Sequence, residues 1–480
     1  MKNSMNDEKQ GLGLSPQKRT LVVGLGKTGL SCVRFLQAQG FELAIIDSRL
    51  QPPGLSQLAE EFPNIAVFTG SFEPAVFDAA DQIVVSPGVS LQEPELQRAA
   101  QRGVPILGDI ELFARQINAA NAMVIAITGS NGKSTVTTLL GMMAATAGRY
   151  VKVGGNLGTP ALELLREVQV EAQVEPVDAY ILELSSFQLE TTTALNAAAA
   201  VVLNVSPDHM DRYATLDDYI AAKRRVYQGD GVMVVNADDP VVMAMIEPKR
   251  SILKFSLQET PIGHHFGLRY QGNQAWLCQG EQFLLPTSSL LIIGQHNIAN
   301  ALAALALGQV AGLPMDAMLE ALRQFRGLAH RMQWVAEHQG ISWFNDSKAT
   351  NVGATLAALQ GLPGKVILLA GGDGKAADFS ELKAVVAQKT RAVVLFGKDA
   401  PLIEQALEQV VPVRVVKDLE QAVKLAKQHA QTGDTILLAP ACASFDQYKN
   451  YEQRGDHFID LVQRLVSGSG RPVGKHDETV

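Results

Sequence analysis

Ala126-Ile127-Thr128-Gly129-Ser130-Asn131-Gly132-Lys133-Ser134-Thr135 decides how the chain is read. An apolar run, Val124–Ile127, enters a glycine-rich turn that ends in Gly-Lys-Ser-Thr and continues as a helical pattern. In that order, strand, loop and helix make a phosphate cradle, because the loop N–H groups and the helix N-terminus favour anionic oxygens. Lys133 is placed to reach β/γ oxygens of a nucleotide, and Ser134 to ligate Mg²⁺. The strict pattern would put its first glycine at Ile127. The turn is therefore a variant with an intact Gly-Lys-Ser core, and the alternative is an ordinary loop.

Upstream, Leu21-Val22-Val23 runs into Gly24-Leu25-Gly26-Lys27-Thr28-Gly29 and a helical pattern. Asp47 ends the next apolar run. Strand, GxGxxG, helix and acid together match a dinucleotide fingerprint, with a ligand-free tight turn as the alternative. The pattern does not say which diphosphate, since a nicotinamide cofactor and a nucleotide-sugar look alike here. A nicotinamide-dependent oxidoreductase needs no second phosphate loop, so the pair of loops favours an ATP-using enzyme. A non-catalytic nucleotide-binding module is a further alternative.

Downstream, Asp178-Ala179-Tyr180-Ile181-Leu182-Glu183 closes an apolar strand on an acid, where Glu183 is placed to hold Mg²⁺ directly or through water. Val201–Val205 exits into Ser206-Pro207-Asp208-His209-Met210-Asp211, so His209 lies beyond a strand's carboxyl end, in a structural or a functional role. Thr215-Leu216-Asp217-Asp218 is a capping box opening a helix. Its apolar positions Leu216, Tyr219, Ile220, Val226 and Tyr227 share a stripe with Lys223. A lysine on a buried face either snorkels, pairs with an acid such as Glu183, or is carbamylated to an anion that ligates Mg²⁺. Periodicity alone favours the first two.

In the last third, three apolar runs end in polar loops: Ile341–Asn345 before Lys348, Val366–Ala370 before Lys375, and Ile436–Ala439 before Ser444. Two lysines and a hydroxyl at such a rim suit an anionic small ligand; the alternative is three solvated loops. Cys442 has no base placed for it by the sequence and is read as a buried packing residue.

The chain has 480 residues, which suggests about three domains at roughly 150 residues each. Its formal charge of −8 argues against general nucleic-acid binding. Three scattered cysteines without a CxxC pair argue against a thiolate zinc site and a disulfide framework. No apolar run is long enough to cross a bilayer, and the polar start lacks a signal-peptide core. Residues 1–17 and 467–480 read as flexible tails. Apolar strands at Leu21–Val23, Leu43–Ile46, Ile83–Val85, Val124–Ile127, Tyr180–Leu182, Val201–Val205, Val366–Ala370, Val393–Phe396 and Ile436–Ala439 alternate with helical patterns. That alternation predicts an α/β protein with covered parallel sheets, broken near residues 112 and 328.

Together the segments TGSNGKST, ELSSFQLE, LNVSPDHMDRY, GQHNIANALAA, HRMQW, FNDSKATN, LLAGGDGK and APACASFDQYKNYEQRG resemble the Mur ligases, in the family's order, over about residues 18 to 466. NDSKATN and ACASFDQYKN are similar to the D-glutamate-adding member in particular. The resemblance implies a Rossmann-like N-terminal domain for the UDP substrate (18–111), a central P-loop ATPase-type domain (112–327) and a Rossmann-like C-terminal domain for the amino acid (328–466). It implies a cytoplasmic, monomeric, amide-bond-forming ligase of peptidoglycan precursor synthesis. Such a ligase adds D-glutamate to UDP-N-acetylmuramoyl-L-alanine through an acyl phosphate, with ATP cleaved to ADP and phosphate. Gly26, Lys27, Thr28, Asp47, Ser48, Arg49, Gly88 and Asn156 then match the UDP-substrate contacts. Gly129, Ser130, Asn131, Gly132, Lys133, Ser134, Thr135, Asn297, Asn300, Arg331 and Asp346 match the ATP contacts. Ser134, Glu183, His209 and Lys223 match the magnesium set, with Lys223 as N6-carboxylysine, and Lys133, His209 and Lys223 match the catalytic residues. Lys348, Thr350, Lys375, Ser444, Phe445 and Tyr451 match the D-glutamate pocket, Tyr451 standing where the family often has Phe.

Overall fold

The computed structural model describes residues 12–120, 122–170, 176–206, 208–209, 212–374 and 377–467. It contains three sheets. In the first, Thr20–Val23 is central, with Leu43–Asp47 then Ala66–Thr69 on one side and Gln82–Val85 then Ile106–Leu107 on the other, all parallel. Thr20–Val23 and Gln82–Val85 are buried at every position, as strands of a covered parallel sheet should be, and their polar first residues satisfy each other, Gln82 Nε2 donating to Thr20 Oγ1 at 2.7 Å. Strand order reverses between these two, and a crevice at such a reversal is where open α/β sheets bind ligands.

The second sheet has nine strands. Val151–Gly155, Ala179–Glu183, Val124–Thr128, Ala199–Val202, Val232–Asn236 and Ile252–Phe255 run parallel in that order. An antiparallel meander, Phe266–Gln271, Gln274–Gln279 and Gln282–Pro286, completes it. The third has six strands, ordered Gln333–His338, Ile341–Asn345, Thr435–Leu438, Val366–Ala370, Thr390–Leu395 and Val413–Val415. Only its first pair is antiparallel. Each apolar run read from the sequence is a strand, with ends moved by a few residues. The largest change is useful: Val201–Val205 stops at Val202, leaving Leu203–Ser206 as a loop beside the phosphate turn.

Two compact bodies result. One comprises residues up to Ser288 with Ala299–Leu322; the other comprises Ser289–Ile298 and the chain from Arg323. The first two sheets share one body because Val22, Leu36, Phe113, Val124, Leu162 and Leu182 belong to a single buried cluster. The boundary drawn at residue 112 falls inside a helix, Asp109–Ala120. The described part of the expected N-terminal tail, 1–17, is seated rather than loose. Leu12 and Leu14 are buried, the Ser15 N–H donates to Gln82 Oε1 at 2.9 Å, and Arg115 donates to the Leu12 carbonyl at 2.6 Å. Two leucines in a polar stretch are enough to seat it. Residues 1–11 and 468–480 lie outside the described residues. No described helix is long and apolar enough to cross a membrane.

Candidate active site

The phosphate loop follows from its glycines. Gly132 has φ +84°, and a Cβ there would sit 2.4 Å from Asn300 Oδ1. Glycine is thus required both for the left-handed backbone and for the approach of Asn300. Gly132 caps the helix Lys133–Thr146, and no side chain caps its first turn, which leaves those N–H groups to an anion. Ser134 and Thr135 open that helix at half-buried positions. Lys133 Nζ donates to the carbonyls of Gly129 and Ser130, at 2.9 and 3.0 Å. Asn204, which the sequence reading passed over, splints the loop. Its Oδ1 accepts from the Asn131 N–H at 2.8 Å and its carbonyl from the Ser130 N–H at 2.9 Å. Ser130 Oγ also donates to the Ser206 carbonyl at 3.0 Å and lies 3.1 Å from Tyr219 Oη.

The capping box at Thr215 and Asp218 forms and opens the helix Leu216–Arg224. Tyr219, Val226 and Tyr227 are buried as the stripe requires, whereas Leu216 at its start is exposed. Lys223 does neither of the things periodicity favoured. It is 1% exposed, so it does not snorkel, and among the described residues it makes no ion pair. Its Nζ donates to the Gly129 carbonyl at 2.8 Å and lies 4.6 Å from the Tyr219 ring. Lys133 and Lys223 therefore converge on one carbonyl oxygen of the phosphate loop. Burial, reinforced by the charge of Lys133, lowers the Lys223 pKa to about 7.

Glu183 ends the fully buried strand Ala179–Glu183. Its Oε1 accepts from Asn156 Nδ2 at 2.7 Å, while Oε2 is buried without a hydrogen-bond partner. A buried carboxylate oxygen left open in this way fits a cation. His209 is half-exposed, has φ +57° and lies 4.7 Å, ring to ring, from Phe187. Among the described residues no three His, Cys, Asp or Glu side chains gather as a metal site.

At the reversal point of the first sheet, a cavity of about 360 Å³ is lined by Gly26, Lys27, Thr28, Asp47, Ser48, Arg49 and Gly88. Asn156, matched to the same substrate, stands instead beside Glu183. Asp47 Oδ2 accepts from the Leu25 N–H at 2.7 Å and from Arg49 Nη2 at 2.6 Å, and Oδ1 accepts from Arg49 N and Nε. Burial pushes this carboxyl's pKa up, but Arg49 and the two backbone N–H groups outweigh it and hold the acid ionised. An acid so engaged braces the glycine loop, which weakens the reading that it waits for a nicotinamide ribose. Lys27 Nζ donates to the Gly158 carbonyl at 2.6 Å, joining this loop to the segment after Val151–Gly155.

In the second body, Asp346 follows the strand Ile341–Asn345 and accepts from the Met332 N–H at 3.1 Å. Burial raises its pKa to about 6, against the pull of Met332 and Arg331. Arg331 sits in a tight turn whose neighbours His330 and Met332 both have positive φ. Asn297 Nδ2 donates to the Ile293 carbonyl at 2.8 Å. Lys348 Nζ lies 3.9 Å from the Tyr451 ring, Ser444 is buried, Thr350 is half-buried and Phe445 is exposed. Lys375 lies outside the described residues. Cys442 is buried and its thiol is pushed up to about 12, which suits packing rather than nucleophilic attack.

Arg454, quoted within a motif but given no role there, organises this rim. It is wholly buried and donates to Ser347 Oγ at 3.0 Å, the Ser347 carbonyl at 2.9 Å and the Cys442 carbonyl at 3.2 Å. Ser347 Oγ donates in turn to the Tyr451 carbonyl at 2.8 Å. The loops carrying Lys348 and Ser444 and the start of the helix Tyr451–Ser467 are thereby tied to one guanidinium. Sequence spacing carried no signal for it, since the partners lie up to 107 positions apart.

Three family profiles match consecutive parts of the chain: the Mur ligase MurD-like N-terminal domain over residues 18–108, the Mur ligase middle domain over 127–308, and the Mur ligase glutamate ligase domain over 330–442. The chain is 53% identical over 459 residues to the UDP-N-acetylmuramoylalanine–D-glutamate ligase of Nitrosococcus oceani, covering 95% of this chain and 99% of that one. With the enzyme of the same name from Methylococcus capsulatus it shares 52% over 455 residues, covering 95% and 96%. Among solved structures, MurF from Acinetobacter baumannii aligns with a TM-score of 0.55 at 17% identity, covering 95% of this chain and 98% of that one. UDP-N-acetylmuramate–alanine ligase MurC from Thermotoga maritima aligns at 0.54 and 18%, covering 94% and 100%. At such identities these two speak for the fold alone. On the full-length relatives and the three matched domains, the chain belongs to the Mur ligase family.

Proposed function

We propose that the chain joins D-glutamate to UDP-N-acetylmuramoyl-L-alanine, cleaving ATP to ADP and phosphate, as a cytoplasmic step of peptidoglycan precursor synthesis. The observation that carries this reading is the 53% identity, over nearly both full lengths, to a relative named for that reaction. The geometry supports it through two phosphate-type loops in one body, the second with two lysines on one loop carbonyl.

A carboxylate is a poor acyl donor. Its oxygen attacks the ATP γ-phosphorus, the bond to the β,γ-bridging oxygen breaks, and ADP leaves. The resulting acyl phosphate has a good leaving group. The D-glutamate amine then adds to the carbonyl carbon, and the tetrahedral intermediate loses phosphate to leave the amide. Gly129–Thr135 cradle the phosphates, and Lys133 exchanges its loop carbonyls for phosphate oxygens. Asn297, Asn300, Arg331 and Asp346 contact the nucleotide. The Gly26–Thr28 loop takes the UDP diphosphate, Asp47–Arg49 the uracil end, and Gly88 and Asn156 further parts of that substrate. Lys348, Thr350, Lys375, Ser444, Phe445 and Tyr451 hold D-glutamate.

Mg²⁺, when bound, neutralises charge on the phosphoryl oxygens. Ser134, the open oxygen of Glu183, His209 and a carbamylated Lys223 would hold it. The Lys223 amine bonds to the carbon of CO₂ and sheds a proton, leaving an anion with two oxygens. His209 orients the acyl phosphate or assists amine deprotonation. Incubating the chain with ATP, Mg²⁺, UDP-N-acetylmuramoyl-L-alanine and D-glutamate should yield the D-glutamyl amide by mass spectrometry. ATP cleavage without that product would overturn the reading.

A further inference from the structure

Arg212 belongs to none of the sets assigned above. Its side chain is 11% exposed and that of its counter-ion Glu190 14%. Nε and Nη2 donate to the two Glu190 carboxylate oxygens at 3.2 and 2.6 Å. Nη1 donates to the Pro87 carbonyl at 2.9 Å, and Nη2 also to the Val89 carbonyl at 3.2 Å. The guanidinium lies 4.2 Å from the Phe187 ring, the ring that His209 also packs against. The Arg212 N–H donates to the His209 carbonyl at 2.9 Å, so Arg212 sits on the turn that carries His209. Glu190 is anchored from the other side, where Arg225 donates to its carbonyl at 2.7 Å.

What this fork grips is the wall of the substrate cavity. Pro87, Gly88 and Val89 line it, and the two gripped carbonyls flank Gly88. Gly88 brings no side chain to fix the loop, and a Cβ there would meet nothing within 4 Å. Within the loop the Val89 N–H donates to the Ser86 carbonyl at 3.0 Å, and Arg212 holds the Pro87 and Val89 carbonyls that this bond leaves over. A planar guanidinium serves several acceptors in fixed directions at once; an ammonium of the same charge does not.

We infer that Arg212 is a positioning residue for the reaction, holding the Pro87–Val89 wall of the substrate cavity in register with the His209 turn. The inference rests on the assignment of that cavity to the UDP substrate. It predicts a selective defect. In Arg212→Ala the KM for the UDP substrate should rise about tenfold or more, with kcat falling less and the KM for ATP moving less than about twofold. Arg212→Lys should fall between, and Glu190→Gln, which frees the fork, should shift the same constant in the same direction.

The test is steady-state phosphate release with each substrate varied in turn, beside calorimetric binding of the UDP substrate without ATP and a thermal melt. A folded Arg212→Ala enzyme with unchanged KM for the UDP substrate would overturn the inference. So would an equal rise in all three KM values, which marks general loosening. Should Arg212→Ala fail to fold, Arg212→Lys and Glu190→Gln carry the same comparison. Arg49→Ala separates the two levels. If it too binds the UDP substrate normally, the cavity assignment falls and takes this inference with it. If Arg49→Ala loses the substrate and Arg212→Ala does not, the positioning role alone falls.

Discussion

Replacing Lys223 tests the chemistry at the phosphate loop where the structure is most specific. Its amine is buried, donates to the Gly129 carbonyl and shares that oxygen with Lys133. Burial first, and Lys133 second, bring its pKa from 10.5 to about 7. At pH 7.5 an amine of pKa about 7 is roughly three-quarters neutral, against about one part in a thousand for an ordinary lysine. The form that adds CO₂ is thus enriched several hundredfold. Lys223→Ala removes the amine, and Lys223→Arg keeps a cation that cannot be carbamylated. Both should lose about a hundredfold or more in kcat, near 2.7 kcal/mol of transition-state stabilisation. Affinity for the UDP substrate should hold, since its cavity is built from Gly26–Gly29, Asp47–Arg49 and Gly88. Acetate should restore part of the activity to the Ala variant and none to the Arg variant. In the wild type, activity should fall as pH drops through about 7, because protonation removes the nucleophilic amine. The assays are phosphate release and carbon NMR of enzyme equilibrated with labelled bicarbonate, where a carbamate signal should vanish in both variants. An Arg variant with near-normal turnover, or full wild-type activity without a carbamate signal, would refute the reasoning.

Gly132→Ala forces an L-residue to φ +84° and a Cβ to 2.4 Å from Asn300 Oδ1. The backbone term alone is about 1–2 kcal/mol, so the KM for ATP should rise about tenfold or more while UDP-substrate binding persists. Calorimetry with each ligand separates the two. Asp109 is buried with Oδ1 unpartnered, and burial lifts its pKa from 3.8 to about 6. The folded state then holds this proton more tightly than the unfolded one. Its contribution is present below pH 3.8 and is lost, by up to about 3 kcal/mol, as pH rises through about 6. Urea midpoints of Asp109→Asn should be flatter than wild type across that window, and parallel profiles would contradict the assignment. Arg454→Met should cost about 1–3 kcal/mol by stranding the Ser347 and Cys442 carbonyls, and should raise the KM for D-glutamate above those for ATP and the UDP substrate. Equal rises in all three would reduce Arg454 to a packing role.

Elements whose burial is written in their own residues were legible in advance. Val366–Ala370 is apolar at every position because both faces of its sheet are covered, so the strand could be read without its neighbours. The glycine loops were legible for the same local reason. The meander from Phe266 to Pro286 was not. Its strands begin or end on Gln271, Gln274, Gln279 and Gln282, and polar ends of that kind read as loop until the pairing partner is known. Leu12 and Leu14 were hidden by their polar surroundings. Lys223 shows the limit most clearly. Periodicity placed it on the buried face but named the wrong companions, because the carbonyl it meets belongs to Gly129, 94 positions away. Asn204, Arg212 and Arg454 act through backbone carbonyls and N–H groups distant in the chain, and no residue pattern announces such partners.

The central claim is that ATP activates the substrate's own carboxylate, and the path of one oxygen tests it most directly. The alanine carboxylate of UDP-N-acetylmuramoyl-L-alanine is enriched in heavy oxygen and turned over with ATP, Mg²⁺ and D-glutamate. In an acyl-phosphate route the carboxylate oxygen that attacks phosphorus leaves with the phosphate. The account predicts one heavy oxygen in each phosphate released, in step with amide formed, and none when L-glutamate replaces D-glutamate. Phosphate free of label alongside D-glutamyl product would contradict it.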